Sequence, residues 1–187
     1  MQSQSPEINR FESTLGGVTV SGRAHSLSAW FVLALRLTMG VAFLWTGIEK
    51  VLSGSFSAAG YLQYATVENG SPLADLFVWM ATTEPVLAAI NIAIPFGEVA
   101  IGLGLIVGFL TRLAAFFGAM MMFFFWMGNW AIAHGVINSD FAYMLVFLSV
   151  AAFGAGRILG LDAVVEQMDV GGEPLISRYP VLAYVLG

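Results

Sequence analysis

The chain contains no cysteine, and only 10% of its 187 residues are charged. The lack of cysteine excludes disulfides, thiolate catalysis, iron–sulfur ligation and thiol–disulfide exchange by the chain itself. The low charge, with 58% hydrophobic residues and a mean hydropathy of +0.83, excludes an ordinary soluble domain. With seven cations against twelve acids, the chain also lacks the basic surface that binds nucleic acid.

Histidine is scarce as well, since His25 and His134 are the only two. The topology predicted below places them at opposite faces of a membrane, so they do not ligate one haem iron together, although a methionine ligand stays open. The sequence has no phosphate-binding loop, no metal-spaced cluster and no nucleophile–base pair. We therefore expect no metal and no covalently bound cofactor, and the catalytic residues stay unknown.

Long apolar runs dominate the rest of the chain. They cover residues 27–52, 85–109, 113–133 and 141–160. A helix needs about 20 apolar residues to cross a bilayer, so the predicted fold class is an all-α membrane protein, a four-transmembrane-helix bundle over residues 27–161. Residues 1–26 form a polar, partly disordered tail in this interpretation, and residues 162–187 form a C-terminal segment. The first run is too long for a signal peptide and contains Arg36, so we expect it to be retained.

The cations predict an orientation. Five arginines fall on one side of the predicted topology: Arg10, Arg23, Arg112, Arg157 and Arg178. By the positive-inside rule both termini are cytoplasmic, in the plasma membrane. The loop 53–84 then lies outside, and it is too long for a simple connection. Two apolar stretches, separated by Asn69-Gly70-Ser71-Pro72, predict two short amphipathic helices there. These helices either cover the outer end of the bundle or only anchor the loop at the membrane interface.

Two charged residues lie inside predicted spans, Arg36 in the first and Glu98 in the second. An ionisable side chain at membrane depth costs from about 3 to over 10 kcal/mol and usually finds a partner. Arg36 shares one helical face with Gly40, Gly47 and Lys50, and the glycines on that face let another helix approach closely. A crude height match puts Glu98 near Gly40. We predict an Arg36–Glu98 pair in the core, which serves chemistry or only fixes the helix register.

A polar and aromatic mouth is predicted at the outer end of the bundle. Its candidate residues are Lys50, Asn91, Trp126, Asn129, Trp130, His134 and Asp140. An opening lined by aromatic side chains, with charged residues deeper in the bundle, suits a quinone ring or a small anion. Tryptophan and tyrosine also gather at membrane interfaces without any ligand, so an ordinary interfacial role is the alternative.

Three motifs resemble the DoxX family of small membrane proteins. The first is Arg36-Leu37, Gly40, Phe43-Leu44, Gly47 and Lys50; the second runs from Gly97-Glu98 to Arg112-Leu113; the third from Phe153 to Asp162. The stretch Ala58–Leu62 is similar to the DoxD-like branch, and the whole resemblance covers about residues 33–162. It implies a four-helix bundle associated with respiratory or sulfur-oxidising redox complexes, and DoxD-like members are described as a subunit of a thiosulfate:quinone oxidoreductase.

The preferred functional hypothesis is an accessory subunit of a quinone oxidoreductase, rather than an enzyme on its own, with quinone as its possible ligand. Its expected partners are the lipid bilayer, other membrane redox subunits and a second copy of the chain. One alternative is a small-molecule or ion permeation protein, because transporters also use intramembrane charges and proline-bent helices. Another is a purely structural scaffold that holds partners through its small-residue faces.

Overall fold

The computed structural model describes residues 10–25, 27–130 and 136–187, and helices dominate it. In chain order the elements are β1 (Arg10–Leu15), β2 (Val18–Arg23), α1 (Ser28–Ser53), a π-helical turn (Tyr61–Ala65), α2 (Thr66–Glu68), α3 (Ala74–Thr82), α4 (Glu84–Val107), α5 (Thr111–Gly128), α6 (Ser139–Ala152), a 3₁₀ turn (Ala155–Arg157), α7 (Leu161–Glu166), α8 (Leu175–Arg178) and a second 3₁₀ turn (Pro180–Tyr184).

Three helices, α1, α4 and α5, are long and apolar enough to cross a membrane. The fourth apolar helix, α6, has 14 residues, which is about 21 Å and shorter than a bilayer core. The predicted fourth span, 141–160, therefore continues too far as a helix. Gly154 adopts the left-handed conformation with φ of 59°, which is typical of a helix end. Similarly, the helix predicted over 113–133 ends at Gly128.

Helices α1 and α4 pack closely through glycines, as the sequence pattern predicts. A Cβ added to Gly47 would lie 2.7 Å from the backbone nitrogen of Val99, and one added to Gly40 would lie 3.1 Å from that of Ile106. On α4, a Cβ added to Gly102 would collide in the same way with the backbone of Leu44. The predicted height match is wrong, however, because Glu98 faces Gly47 rather than Gly40. Seven residues of helix correspond to about 10 Å.

The centre of the core lies between α1, α4, α5 and α6. The rings of Phe43 and Phe147 meet edge to face with centroids 4.8 Å apart, and Phe147 lies directly over Gly118 of α5. Leu105 and Val150 are fully buried beside them. Small residues again allow the approach, since a side chain at Gly118 would collide with the Phe147 ring.

An antiparallel hairpin precedes α1. Its register runs from Arg10 opposite Arg23 to Leu15 opposite Val18. Gly16 and Gly17 make the two-residue turn with φ of 58° and 82°, the left-handed values that such hairpin turns require. The sequence analysis expected a partly disordered tail and did not anticipate this hairpin.

The long loop between α1 and α4 packs back onto the bundle. Leu62 and Phe77 are buried in a second apolar cluster with Met127 of α5. The N–H of Ala58 donates to Oδ1 of Asn91 on α4 at 2.8 Å and fastens the start of the loop. We call the end of the bundle that carries this loop the loop end. We call the opposite end, where α1 begins and the C-terminal segment packs, the terminal end.

Candidate functional site

Arg36 lies at the terminal end and is 1% exposed. Its Nη1 donates to the carbonyl oxygens of Ala155 at 2.5 Å and Ile158 at 2.9 Å, and its Nη2 donates to that of Leu159 at 3.3 Å. The predicted Arg36–Glu98 pair is therefore wrong. The two terminal nitrogens of the guanidinium donate to backbone carbonyls that follow the end of α6, whereas its buried Nε has no hydrogen-bond partner among the described residues.

Asp162 completes this arrangement without any exposure to solvent. Its carboxylate accepts from the N–H groups of Leu110 at 2.8 Å, Thr111 at 3.0 Å and Gly187 at 3.0 Å. A carboxylate at the N-terminus of α5 satisfies donors that the helix leaves unpaired and complements the positive end of the helix dipole. The sequence analysis noted Asp162 only as part of a motif and missed this role.

Backbone geometry holds the Arg36 guanidinium in place. Leu110 and Leu159 both have φ of 51°, an uncommon value for residues with a side chain. A Cβ added to Gly108 or Gly160 would lie 2.9 Å from Nη1 of Arg36. We call Arg36, its three carbonyl partners and Asp162 the Arg36 clasp. It joins α1, the α4–α5 turn and the C-terminal segment, so its arrangement is that of a structural tie.

Glu98 pairs with Lys50 near the loop end. Lys50 Nζ lies 2.5 Å from Oε1 and 2.6 Å from Oε2 of Glu98, with side-chain exposures of 28% and 4%. The ammonium also lies 5.7 Å from the ring centroid of Phe56, within the range of a cation–π interaction. Both residues were predicted to be site residues, but the structure joins them to each other. Close packing at Gly47 brings their backbones near enough for this pair.

The predicted mouth is brought together only in part. Nδ2 of Asn129 donates to Oδ2 of Asp140 at 2.8 Å, and the rings of Trp126 and Trp130 lie 5.4 Å apart. Nε1 of Trp126 donates to the carbonyl of Val136 at 2.8 Å. Of the other mouth candidates, Asn91 fastens the loop and Lys50 pairs with Glu98, whereas His134 lies outside the described residues. Contact of any of them with a quinone stays a prediction.

An apolar cavity of about 440 Å³ lies between α4 and α5, under the loop helices. Its volume falls within the range of small-molecule sites, about 300–1,000 Å³. Its lining includes Ile90, Ile94, Gly97 and Ile101 from α4, Phe117, Met121 and Phe124 from α5, and Tyr61 and Phe77 from the loop.

Tyr61 lines the loop end of this cavity, and its hydroxyl is directed towards the end of α5. Its hydroxyl lies 3.3 Å from Oδ1 of Asn129 and 3.4 Å from the carbonyl oxygen of Phe125. Burial, and then the charge of Asp140, raise the pKa of Tyr61 to about 12. The hydroxyl is thus protonated and available as a donor at neutral pH.

The sequence analysis missed the cavity. The α4 residues that line it recur at helical spacing: Ile90, Ala93, Ile94, Gly97, Ala100 and Ile101. The same spacing is typical of a helix face that contacts lipid or core, so periodicity alone does not reveal an empty volume. Tyr61 was assigned only to a predicted amphipathic loop helix and to a family-like stretch. In the part of the chain that the structure describes, no group of three or more His, Asp or Glu residues is placed to hold a metal ion.

Comparison with known proteins identifies the family of the chain. No curated protein and no solved structure matches the chain. The family model for DoxX matches residues 31–135. This range covers most of α1, the long loop, α4, α5 and all the predicted mouth residues except Asp140. Since the match spans more than half of the 187 residues, the chain belongs to the DoxX family of membrane proteins.

Proposed function

We propose that this DoxX-family protein is a quinone-contacting subunit of a quinone-linked respiratory or sulfur-oxidising redox complex in the plasma membrane. The observation that supports it most is the α4–α5 cavity of about 440 Å³. A quinone bound in this cavity would carry electrons and protons, and the role of this chain would be to bind and orient it. An accessory role suits a chain without cysteine better than electron transfer on its own.

The length and the apolar lining of the cavity support an isoprenoid quinone as the ligand. Its α4 lining runs from Ile90 to Ile101, a rise of about 16 Å along the helix. The aliphatic and aromatic walls match an isoprenoid tail, and Tyr61 offers a hydroxyl at the loop end, where a ring with carbonyl groups would lie. Binding sites of this kind combine a mostly apolar wall with few polar groups.

The membrane topology belongs to the same proposal. In it, α6 crosses the bilayer as the fourth span together with the turn that follows, up to about Leu159. Both termini are cytoplasmic, since Arg112 and Arg157 then lie on the inner side with the terminal end. The loop helices cover the outer side, with the buried Phe77 facing the bundle.

Ion permeation is supported less well. The charges that suggested it, Arg36 and Glu98, both have protein partners in the structure: backbone carbonyls for Arg36 and the Lys50 ammonium for Glu98. Forming a path for ions would require breaking contacts that stabilise buried charges.

The test is native mass spectrometry of the protein released gently from its own membrane, for the wild type and for Gly97→Leu. A Cβ at Gly97 would lie 3.6 Å from Cε of Met121, so a small side chain is tolerated and a leucine would fill cavity volume. We expect a quinone mass on the wild type and at least a tenfold loss of occupancy in Gly97→Leu. Co-eluting oxidase or sulfur-oxidising subunits would support the subunit role.

Ala89→Leu is the matched control, because Ala89 is exposed on the same helix and does not line the cavity. It should keep wild-type occupancy. A wild type without quinone would contradict the ligand. Quinone retained equally by Gly97→Leu would contradict its placement in the cavity.

A further inference from the structure

We propose that the Tyr61 hydroxyl recognises a carbonyl oxygen of the ligand in the α4–α5 cavity, with Asn129 and Asp140 positioning it. This inference rests on the proposed quinone function. It assigns the two ends of the ligand: the ring lies at the loop end beside Tyr61, and the tail runs between α4 and α5 past Gly97.

The first argument is chemical. Among the described residues that line the cavity, Tyr61 alone has a hydroxyl or N–H group in its side chain. A carbonyl oxygen taken from water into an apolar cavity requires a donor, because an unpaired polar group in such a place is costly. Tyr61 is thus the donor that a carbonyl-bearing ligand would meet.

The second argument comes from distances. The Tyr61 hydroxyl has two acceptors nearby, at 3.3 Å and 3.4 Å. A well-formed O–H···O bond is about 2.5–3.0 Å long. Both contacts are therefore weak, and the hydroxyl loses little when it turns its proton to a ligand. Tyr61 also begins a π-helical turn, Tyr61–Ala65, a feature that is frequent at functional sites.

The third argument concerns the neighbours of Tyr61. An ionised Asp140 only accepts hydrogen bonds, so the 2.8 Å contact fixes the amide nitrogen of Asn129 towards Asp140. The amide oxygen of Asn129 then faces Tyr61 and accepts from it rather than donating to it. This arrangement keeps the hydroxyl in place as a donor until a ligand arrives. Asn129 and Asp140 are thus positioning residues.

The experiment compares two probes on the purified protein in detergent. Decylubiquinone has ring carbonyls, and decylbenzene has the same tail on a ring without oxygen. Affinities are measured by quenching of tryptophan fluorescence for decylubiquinone and by its displacement for decylbenzene. We expect Tyr61→Phe to weaken decylubiquinone about tenfold, as loss of one hydrogen bond to a buried group implies, and to leave decylbenzene unchanged.

Tyr64→Phe is the matched control, since Tyr64 belongs to the same turn but is 67% exposed; it should bind both probes like the wild type. In the infrared spectrum, a carbonyl band of bound decylubiquinone should move to higher wavenumber in Tyr61→Phe, because the hydrogen bond is lost.

The outcomes separate the two proposals. If the wild type binds no decylubiquinone, the proposed function fails and this inference falls with it. If the wild type binds decylubiquinone and Tyr61→Phe binds it equally well, the function stands and the inference is overturned. Equal weakening of both probes would also overturn it, because that pattern indicates altered cavity shape.

Asp140 gives a separate readout for positioning. Asp140→Ala should weaken decylubiquinone by about threefold and leave decylbenzene unchanged, because only the orientation of Asn129 is lost. Asp140→Asn can still accept from Asn129 and should restore most of the affinity. Failure of that rescue would remove Asp140 from the proposal and leave Tyr61 alone.

Discussion

The charged residues Arg36 and Asp162 at one end of the bundle have a different kind of hydrogen-bond partner from Lys50 and Glu98 at the other. At the terminal end, Arg36 is 1% exposed and donates to backbone carbonyls, and Asp162 is fully buried on backbone N–H groups. At the loop end, Lys50 and Glu98 pair side chain to side chain, and Lys50 keeps 28% of its side-chain surface exposed. Arg36 and Asp162 are thus bonded to backbone groups, whereas Lys50 and Glu98 are bonded to each other. The terminal end also holds a pair of the second kind, between Arg157 and Glu166.

This difference separates stability from ligand binding. The Arg36 clasp makes several well-formed hydrogen bonds around glycines that admit no side chain. The loop end contains a cavity and a hydroxyl, on Tyr61, with two long contacts. Open volume is a feature of sites where something binds, and the cavity lies towards the loop end. Buried atoms without a partner do not mark that end, because Nε of Arg36 and Oγ1 of Thr111 lie at the terminal end.

The largest loss of stability is expected for Arg36→Met, at the terminal end. The change removes the Arg36 donor from the carbonyls of Ile158 and Leu159, and it leaves the carbonyl of Ala155 with the N–H of Ile158 alone. It also removes the cation beside Asp162. Removing one partner of a buried charged arrangement costs about 3–5 kcal/mol. We expect a loss of unfolding free energy in that range, measured by denaturant titration of the protein in detergent micelles.

Arg178→Met is the control, because Arg178 donates to the carbonyl of Val170 at an exposed position. It should change stability by less than about 0.5 kcal/mol. Similar small effects of both substitutions would mean that the terminal end is not held by the Arg36 clasp.

A second comparison uses two glycines of α4, five residues apart. A Cβ at Gly102 would collide with the backbone of Leu44, whereas a Cβ at Gly97 would contact only Cε of Met121, at 3.6 Å. Gly102→Ala should therefore force α1 and α4 apart and destabilise by about 2 kcal/mol. Gly97→Ala should be neutral or should stabilise by up to about 1 kcal/mol through helix propensity. The same unfolding titration measures both.

The reverse order of stability would contradict the assigned helix faces. Equal losses would indicate that α4 packs as tightly against α5 at Gly97 as it does against α1, which the cavity does not allow.

The sequence predicts the helices and their faces better than it predicts which side chains meet. The spacing of Gly40, Gly47 and Lys50 shows the buried face of α1, because helical periodicity is a local property. The partner of Glu98 depends instead on the relative height of two helices joined by a long loop, 54–83, whose length does not fix that height. An error of seven residues in this relative height was enough for the sequence analysis to predict Arg36, instead of Lys50, as the partner of Glu98.

Other features depend on contacts that leave no pattern in the sequence. The partners of Arg36 are carbonyls of Ala155 and Ile158, and every residue has a carbonyl, so residue type does not reveal them. The cavity is a volume without atoms, and nothing in the residues that line it distinguishes them from lipid-facing ones. The hairpin, in contrast, was readable from Gly16-Gly17 between alternating residues, and the sequence analysis passed over it.

The last comparison concerns the loop-end pair of Lys50 and Glu98 and tests the contrast between the two ends most directly. In Lys50→Met, Glu98 is left without its cation in a site where only 4% of its side chain is exposed. We expect a loss of about 2 kcal/mol. In Glu98→Gln, Lys50 loses its carboxylate but can turn its exposed ammonium towards water, so the loss should be less than half as large.

The double variant Lys50→Met with Glu98→Gln should lie close to Glu98→Gln alone, because no buried charge remains unpaired. Denaturant titration of the four proteins in micelles gives the coupling between the two sites. Equal losses in both single variants would mean that exposure does not decide the cost of breaking this pair. The loop end would then be held as rigidly as the Arg36 clasp holds the terminal end, and the adaptability that a ligand site there requires would have to come from Tyr61 and the loop alone.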